Sequence, residues 1–171
     1  MKTESLMFFS GISGFFIAAF LEEGVKHISS IGLTSREFRF SRTDFLLFTF
    51  FITLGFIVGE NILYFKEAYN NGIFAILIMG IYRLLFALPL HIFAASICVM
   101  FWWKALSYRF LSWQYIGFFI TGFILASGVH SLYNTLAEKN NFILLLFLTA
   151  IAYFSFTRWL IGEDISREKN N

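Results

Sequence analysis

Apolar residues run along this chain in long stretches broken by short polar intervals, and the length of the stretches decides how they read. About 20 predominantly apolar residues in a helix, rising 1.5 Å each, cover the ~30 Å hydrocarbon core of a bilayer. Five stretches reach that length: one within residues 6–33, then 45–65, 84–103, 113–133 and 142–160. The third sits inside a longer apolar run, 73–103, which exceeds one crossing, so 73–82 is expected as an interfacial helix or a tilted extension. Neither an internal repeat nor a low-complexity linker interrupts the pattern. Residues 1–161 therefore read as a single transmembrane helical domain, and 162–171 as a short polar tail. Lys2 ahead of the first apolar run has the look of a signal peptide, but no small-residue cleavage site follows before Glu22, so the run is expected to stay as a first helix.

Composition narrows the class. The chain is 58% hydrophobic and 14% charged with a mean hydropathy of +0.71, against about 45–50% apolar and 25% charged in soluble domains. With 25 Phe and a single Pro, it lacks both the polar surface of a soluble globule and the alternating polar face of a β-barrel. An all-α, polytopic transmembrane helix bundle of about five spans remains. The formal charge of +2 supports no nucleic-acid partner. Cys98 stands alone in an apolar run, so neither a disulfide framework nor a thiolate metal site is available.

Lysine and arginine are unevenly sorted between the two sides. Arg36, Arg39, Arg42, Lys104, Arg109, Arg158, Arg167 and Lys169 fall on one side, and Lys2, Lys66 and Lys139 on the other. The positive-inside bias then puts the C-terminus in the cytoplasm and the N-terminus outside the plasma or inner membrane. Trp102, Trp103 and Trp113 fit an interfacial belt on the cytoplasmic side.

Polar groups at membrane depth cost about 2.5–3.5 kcal/mol each on the insertion scale when charged, so each asks for a reason. Glu22 and Glu23 have Lys26 and His27 four residues on, a spacing suited to neutralisation within one helix. The second span carries Gly55, Gly59, Glu60, Asn61 and Tyr64; the third carries His91, with Arg83 eight residues earlier and the kink-prone Pro89 between them. In the fourth, Ser127, His130, Ser131 and Asn134 form a polar stripe that must face protein or water. Helical rise places His130 about 25 Å and Glu60 about 22 Å above the cytoplasmic ends of their spans. Glu22 and His91 reach the same depth if the first span uses 14–33 and the third starts at 84; starting them at 6 and 73 would separate the groups by about 15–20 Å.

Carboxylates beside imidazoles in a wet intramembrane pocket suit the deprotonation of water and the stabilisation of an oxyanion. A glutamate serves as base, a histidine shares the proton, and a His/Asn pair donates to the tetrahedral intermediate. The same residue types, as Glu60, His91 and His130, would suit Zn²⁺ with an open position, although no HExxH is present. A proton- or ion-coupled transporter subunit, a haem-binding bundle ligated by His91 and His130, and a scaffold glued by polar side chains use the same residues.

In order on four successive spans stand Glu22-Glu23-x-x-Lys26, Gly55-Phe56-x-x-x-Glu60-Asn61-x-x-Tyr64, Arg83 with His91, and His130-x-x-x-Asn134. This series resembles the PrsW family of intramembrane proteases, within the wider clan of CAAX-processing and bacteriocin-processing (CPBP) membrane proteases, over about residues 15–136. The resemblance implies an endopeptidase acting on membrane-anchored proteins, such as anti-sigma factors, from the extracytoplasmic side. It also implies Glu22 as the water-activating base, Glu23 as its supporting acid, and His130 with Asn134 as the oxyanion pocket. Where the wider clan has Phe-x-x-x-His, this chain has Phe56 and Glu60, so His91 would supply the second imidazole. A metal-free glutamate mechanism and a metallopeptidase, zinc being the ion in view, both remain open on these residues, as does the oligomeric state.

Overall fold

Each apolar stretch folds as helix. The computed structural model describes residues 2–34 and 41–168, with side chains described for 14–30, 41–159 and 161. The helices are α1 (Lys2–Thr34), α2 (Arg42–Tyr69), α3 (Ile73–Tyr82), α4 (Leu88–Ala105), α5 (Trp113–Glu138) and α6 (Phe142–Glu168). No strand occurs among the described residues, and the protein is a polytopic helical bundle. Arg36, Arg39 and Lys169, which entered the charge asymmetry, lie outside the described residues.

Local chemistry explains several of the boundaries. Ser41 and Asp44 form a reciprocal cap: Ser41 Oγ accepts from the Asp44 amide at 3.2 Å, and Asp44 Oδ2 accepts from the Ser41 amide at 2.7 Å. Ser112 caps α5 one way only, its Oγ accepting from the Tyr115 amide. The turn after α2 needs Gly72, whose φ of +89° suits a residue without a side chain. Residues 162–168 of the polar tail continue α6.

The run 73–105 is a single continuous rod and one membrane-length helix, so 73–82 is an extension of that span. Its irregularity is concentrated in a π-helical segment, Arg83–Ala87, immediately before Leu88 and Pro89. Proline has no N–H to donate to the carbonyl four residues back, and its ring crowds that carbonyl; widening the preceding turn relieves both. Among the described residues four helices are long and apolar enough to cross a membrane: α2, the α3–α4 rod, α5, and Phe142–Trp159 of α6.

The core lies around α4, which packs on α1, α2, α5 and α6 and is apolar on nearly every side. Its tightest approach is to α5: a Cβ built on Gly122 would stand 2.4 Å from Phe101 Cβ and 3.3 Å from the Cys98 carbonyl oxygen. Small residues at helix crossings let backbones come close where lipid offers no hydrophobic drive for association. In contrast, α3 buries none of its residues, and Phe74, Leu77 and Ile81 are more than half exposed. Lipid covers such a surface in place.

Gly122→Ala should force α4 and α5 apart and lower stability by about 1–3 kcal/mol. Gly128→Ala, whose Cβ meets nothing within 4 Å on the same helix, should be nearly neutral. Thermal unfolding of the two variants in detergent measures the difference, and equal midpoints would contradict the close approach.

Candidate active site

Four helices, α1, α2, α4 and α5, deliver acids and imidazoles to one point. On α1, Glu23 and Lys26 lie one turn apart, and both are almost fully buried. Lys26 Nζ donates to Glu23 Oε1 at 2.6 Å and reaches on to His91 Nδ1 of α4 at 3.1 Å. The i,i+4 spacing paired Lys26 with Glu22 and His27 with Glu23; the fold turns Lys26 to Glu23 instead, because Glu23 and not Glu22 faces the interior. His27 packs among the rings of Trp102 and Phe119, at 5.4 and 5.0 Å between centroids, with neither nitrogen hydrogen-bonded among the described residues.

From α2, Glu60 Oε2 meets Arg83 Nη2 at 2.8 Å and His91 Nε2 at 3.3 Å. Arg83 Nε also donates to Asn61 Oδ1, and its guanidinium lies 4.0 Å from the centre of the Tyr64 ring. Arg83 belongs to the π-helical segment, so the irregular turn carries the cation that pins Glu60. From α5, His130 Nδ1 lies 2.8 Å from Glu23 Oε1, and Nε2 lies 3.4 Å from Glu22 Oε2. The His91 and His130 rings stand edge to face, 4.4 Å between centroids. That leaves no room for a porphyrin between them.

Donor logic assigns the protons. An ammonium only donates, so His91 Nδ1 accepts from Lys26 and its proton sits on Nε2, toward Glu60. A carboxylate only accepts, so a His130 ring with one proton carries it on Nδ1, toward the closer Glu23, and turns the lone pair of Nε2 to Glu22. Glu22 Oε2 is itself buried without a donor among the described residues. Two acceptors thus face each other at 3.4 Å, an arrangement that favours a shared proton, a water or a cation.

The donor set fits a metal. Glu22, His91 and His130 bring ligand atoms within 4.8 Å of one another, an N,N,O set of the kind that catalytic zinc uses. The 3.4 Å separation is close to the roughly 3.3 Å between two atoms sharing one tetrahedral zinc at ~2.0–2.1 Å. Glu23 behind His130 matches the carboxylate–histidine pairing that orients such ligands. The sequence reading had Glu60 as the carboxylate of that set; Arg83 draws Glu60 aside, and Glu22 groups with the imidazoles instead.

Glu22, Glu60 and Asn134 line one cavity of about 410 Å³ together with Tyr64, Tyr82, Arg83 and Tyr133. Of the α5 stripe, His130 and Asn134 border the site, while Ser127 and Ser131 are buried behind it. Two tyrosines of the cavity were not singled out in the sequence. Tyr133 follows His130 by three residues, a spacing that could have identified it. Tyr82, whose hydroxyl is buried without a partner among the described residues, adjoins the π-helical turn, where ordinary helical spacing gives no signal.

A family model described as PrsW family intramembrane metalloprotease matches residues 2–160. No curated protein and no solved structure matches the chain.

Arg83→Met should destabilise the protein by about 3 kcal/mol, because it leaves the Glu60 carboxylate unpaired in a largely buried setting. Adding Glu60→Gln should restore much of the loss. A double-mutant cycle by denaturant unfolding in detergent measures the pair, and a coupling below about 0.5 kcal/mol would mean that it does not support the site.

Proposed function

The chain belongs to the PrsW family of intramembrane metalloproteases, and from that premise we propose that it hydrolyses a peptide bond of a membrane-anchored protein, such as an anti-sigma factor, near the outer membrane boundary. The observation that carries this reading is the meeting of Glu22 Oε2 and His130 Nε2 at 3.4 Å beside a cavity large enough for a peptide segment.

The two adjacent acids divide the work by exposure. The Glu22 side chain is 27% exposed and lines the cavity, whereas Glu23 is 1% exposed and committed to Lys26 and His130. Glu22 therefore meets the attacking water and draws its proton, and Glu23 holds His130 with Nε2 facing that water. Glu22 hands that proton across to His130 Nε2, 3.4 Å away, and His130 passes it to the leaving amine. Asn134, on the cavity wall one turn beyond His130, donates to the oxyanion. Glu60, fixed by Arg83, orients His91.

Glu22, His91 and His130 would hold a divalent ion such as zinc, which when bound supplies an acidified water and polarises the scissile carbonyl. With such an ion bound, Lys26 would remain paired with Glu23, its 2.6 Å partner.

In this reading α1 is the first of five spans, the N-terminus is outside and the C-terminus cytoplasmic. The cavity then lies toward the outer face, on the side of the α2–α3 and α5–α6 turns.

Glu22→Gln should abolish cleavage while leaving folding and substrate capture intact, and Asn134→Ala should lose about 10²- to 10³-fold. N-terminal peptide mapping of membranes from cells expressing each variant reads both; unchanged cleavage by Glu22→Gln overturns the assignment. Activity lost to a chelator and regained with Zn²⁺ assigns Glu22, His91 and His130 to the ion, while activity indifferent to chelation leaves Glu22 as a metal-free base.

For the topology, an impermeant thiol reagent should fail to label Arg39→Cys in intact cells and should label it after lysis. Labelling in intact cells reverses the orientation.

A further inference from the structure

The catalytic cavity does not end at its polar residues. Met79, Tyr82 and Ala137 line both that cavity and an adjoining groove of about 560 Å³, whose remaining walls include Ala75, Ile78 and Phe142. The character of the lining changes along the way. Glu22, Glu60, Arg83 and Asn134 face the cavity, whereas the groove is lined by apolar and aromatic side chains, with Asn140 at its end. One wall is α3, which buries none of its residues and is steadied on α2 by Gly80 against Phe65. The opposite wall is the turn from α5 into α6.

A peptide segment has to leave helical form to be cut, and its freed backbone groups cannot face lipid. The polar cavity satisfies those groups near the scissile bond, and the neighbouring apolar groove suits a side chain from the same segment. We infer that this groove is the subsite for a large apolar side chain, of leucine, methionine or phenylalanine size, next to the scissile bond of the membrane-anchored substrate. Ala75 and Ile78 set the size that it accepts. The inference rests on the peptidase reading above and adds to it the substrate feature that the site selects.

Both residues lie on a helix with no buried positions, so their replacement leaves the bundle core untouched. Ala75→Trp narrows the groove and should shift cleavage from large apolar residues to small ones at that position, by about tenfold or more. Ile78→Ala widens it and should shift preference toward the largest side chains. The readout is N-terminal peptide mapping of membranes from cells expressing wild type, Glu22→Gln and the two groove variants at equal levels. Sites lost in Glu22→Gln define the enzyme's own cuts; an empty set overturns the peptidase reading, and this inference with it. With that set established, a cut-site profile identical in wild type, Ala75→Trp and Ile78→Ala overturns the subsite alone and assigns the groove to a lipid chain.

Discussion

The site depends on one shared carboxylate oxygen. Glu23 Oε1 accepts from Lys26 at 2.6 Å and faces His130 Nδ1 at 2.8 Å, so a single buried atom ties neighbouring turns of α1 to α5. A carboxylate taken out of water at 1% exposure is tolerable only when paired and hydrogen-bonded. This need keeps Lys26 in the interior rather than at the membrane surface. Lys26 in turn reaches His91, which brings α4 into the same network.

A second pair, Arg83 with Glu60, completes the frame from the other side. The two imidazoles sit between these pairs, and each has its proton placed by a different partner. His91 is an acceptor on the side of Lys26, and His130 is a donor on the side of Glu23. That asymmetry leaves the His130 lone pair and the Glu22 carboxylate facing each other at the cavity. The packing beneath is what allows it: α4 runs through the middle of the bundle, and Gly122 lets α5 lie almost on its backbone. The π-helical turn before Pro89 places Arg83 in the interior, where it meets Glu60.

Intramembrane acids and histidines serve proton transport and haem ligation as well as hydrolysis, and the residue types alone do not separate these uses. Family membership makes the chain a peptidase, and the edge-to-face contact of His91 and His130 closes the space that axial haem ligands require. The cavity adds a place for a peptide beside the most exposed of the clustered acids, Glu22.

The sequence alone determined the helices and singled out the polar groups that come together at the candidate site. Apolar runs long enough to cross a bilayer marked each membrane-length helix. Glu22, Glu23, Glu60, His91, His130 and Asn134 were legible because polar groups at membrane depth are costly and therefore conspicuous. Helical spacing relates side chains within one helix only. It could not give the rotation and depth of α1 against α4 and α5, on which a difference of about 15–20 Å turned. Tertiary packing decided those, and with them that Lys26 serves Glu23 and His91, that His27 is sealed among aromatic rings, and that Glu22 rather than Glu60 joins the two imidazoles. Each of these is a choice among partners on different helices, made by which face each helix turns inward.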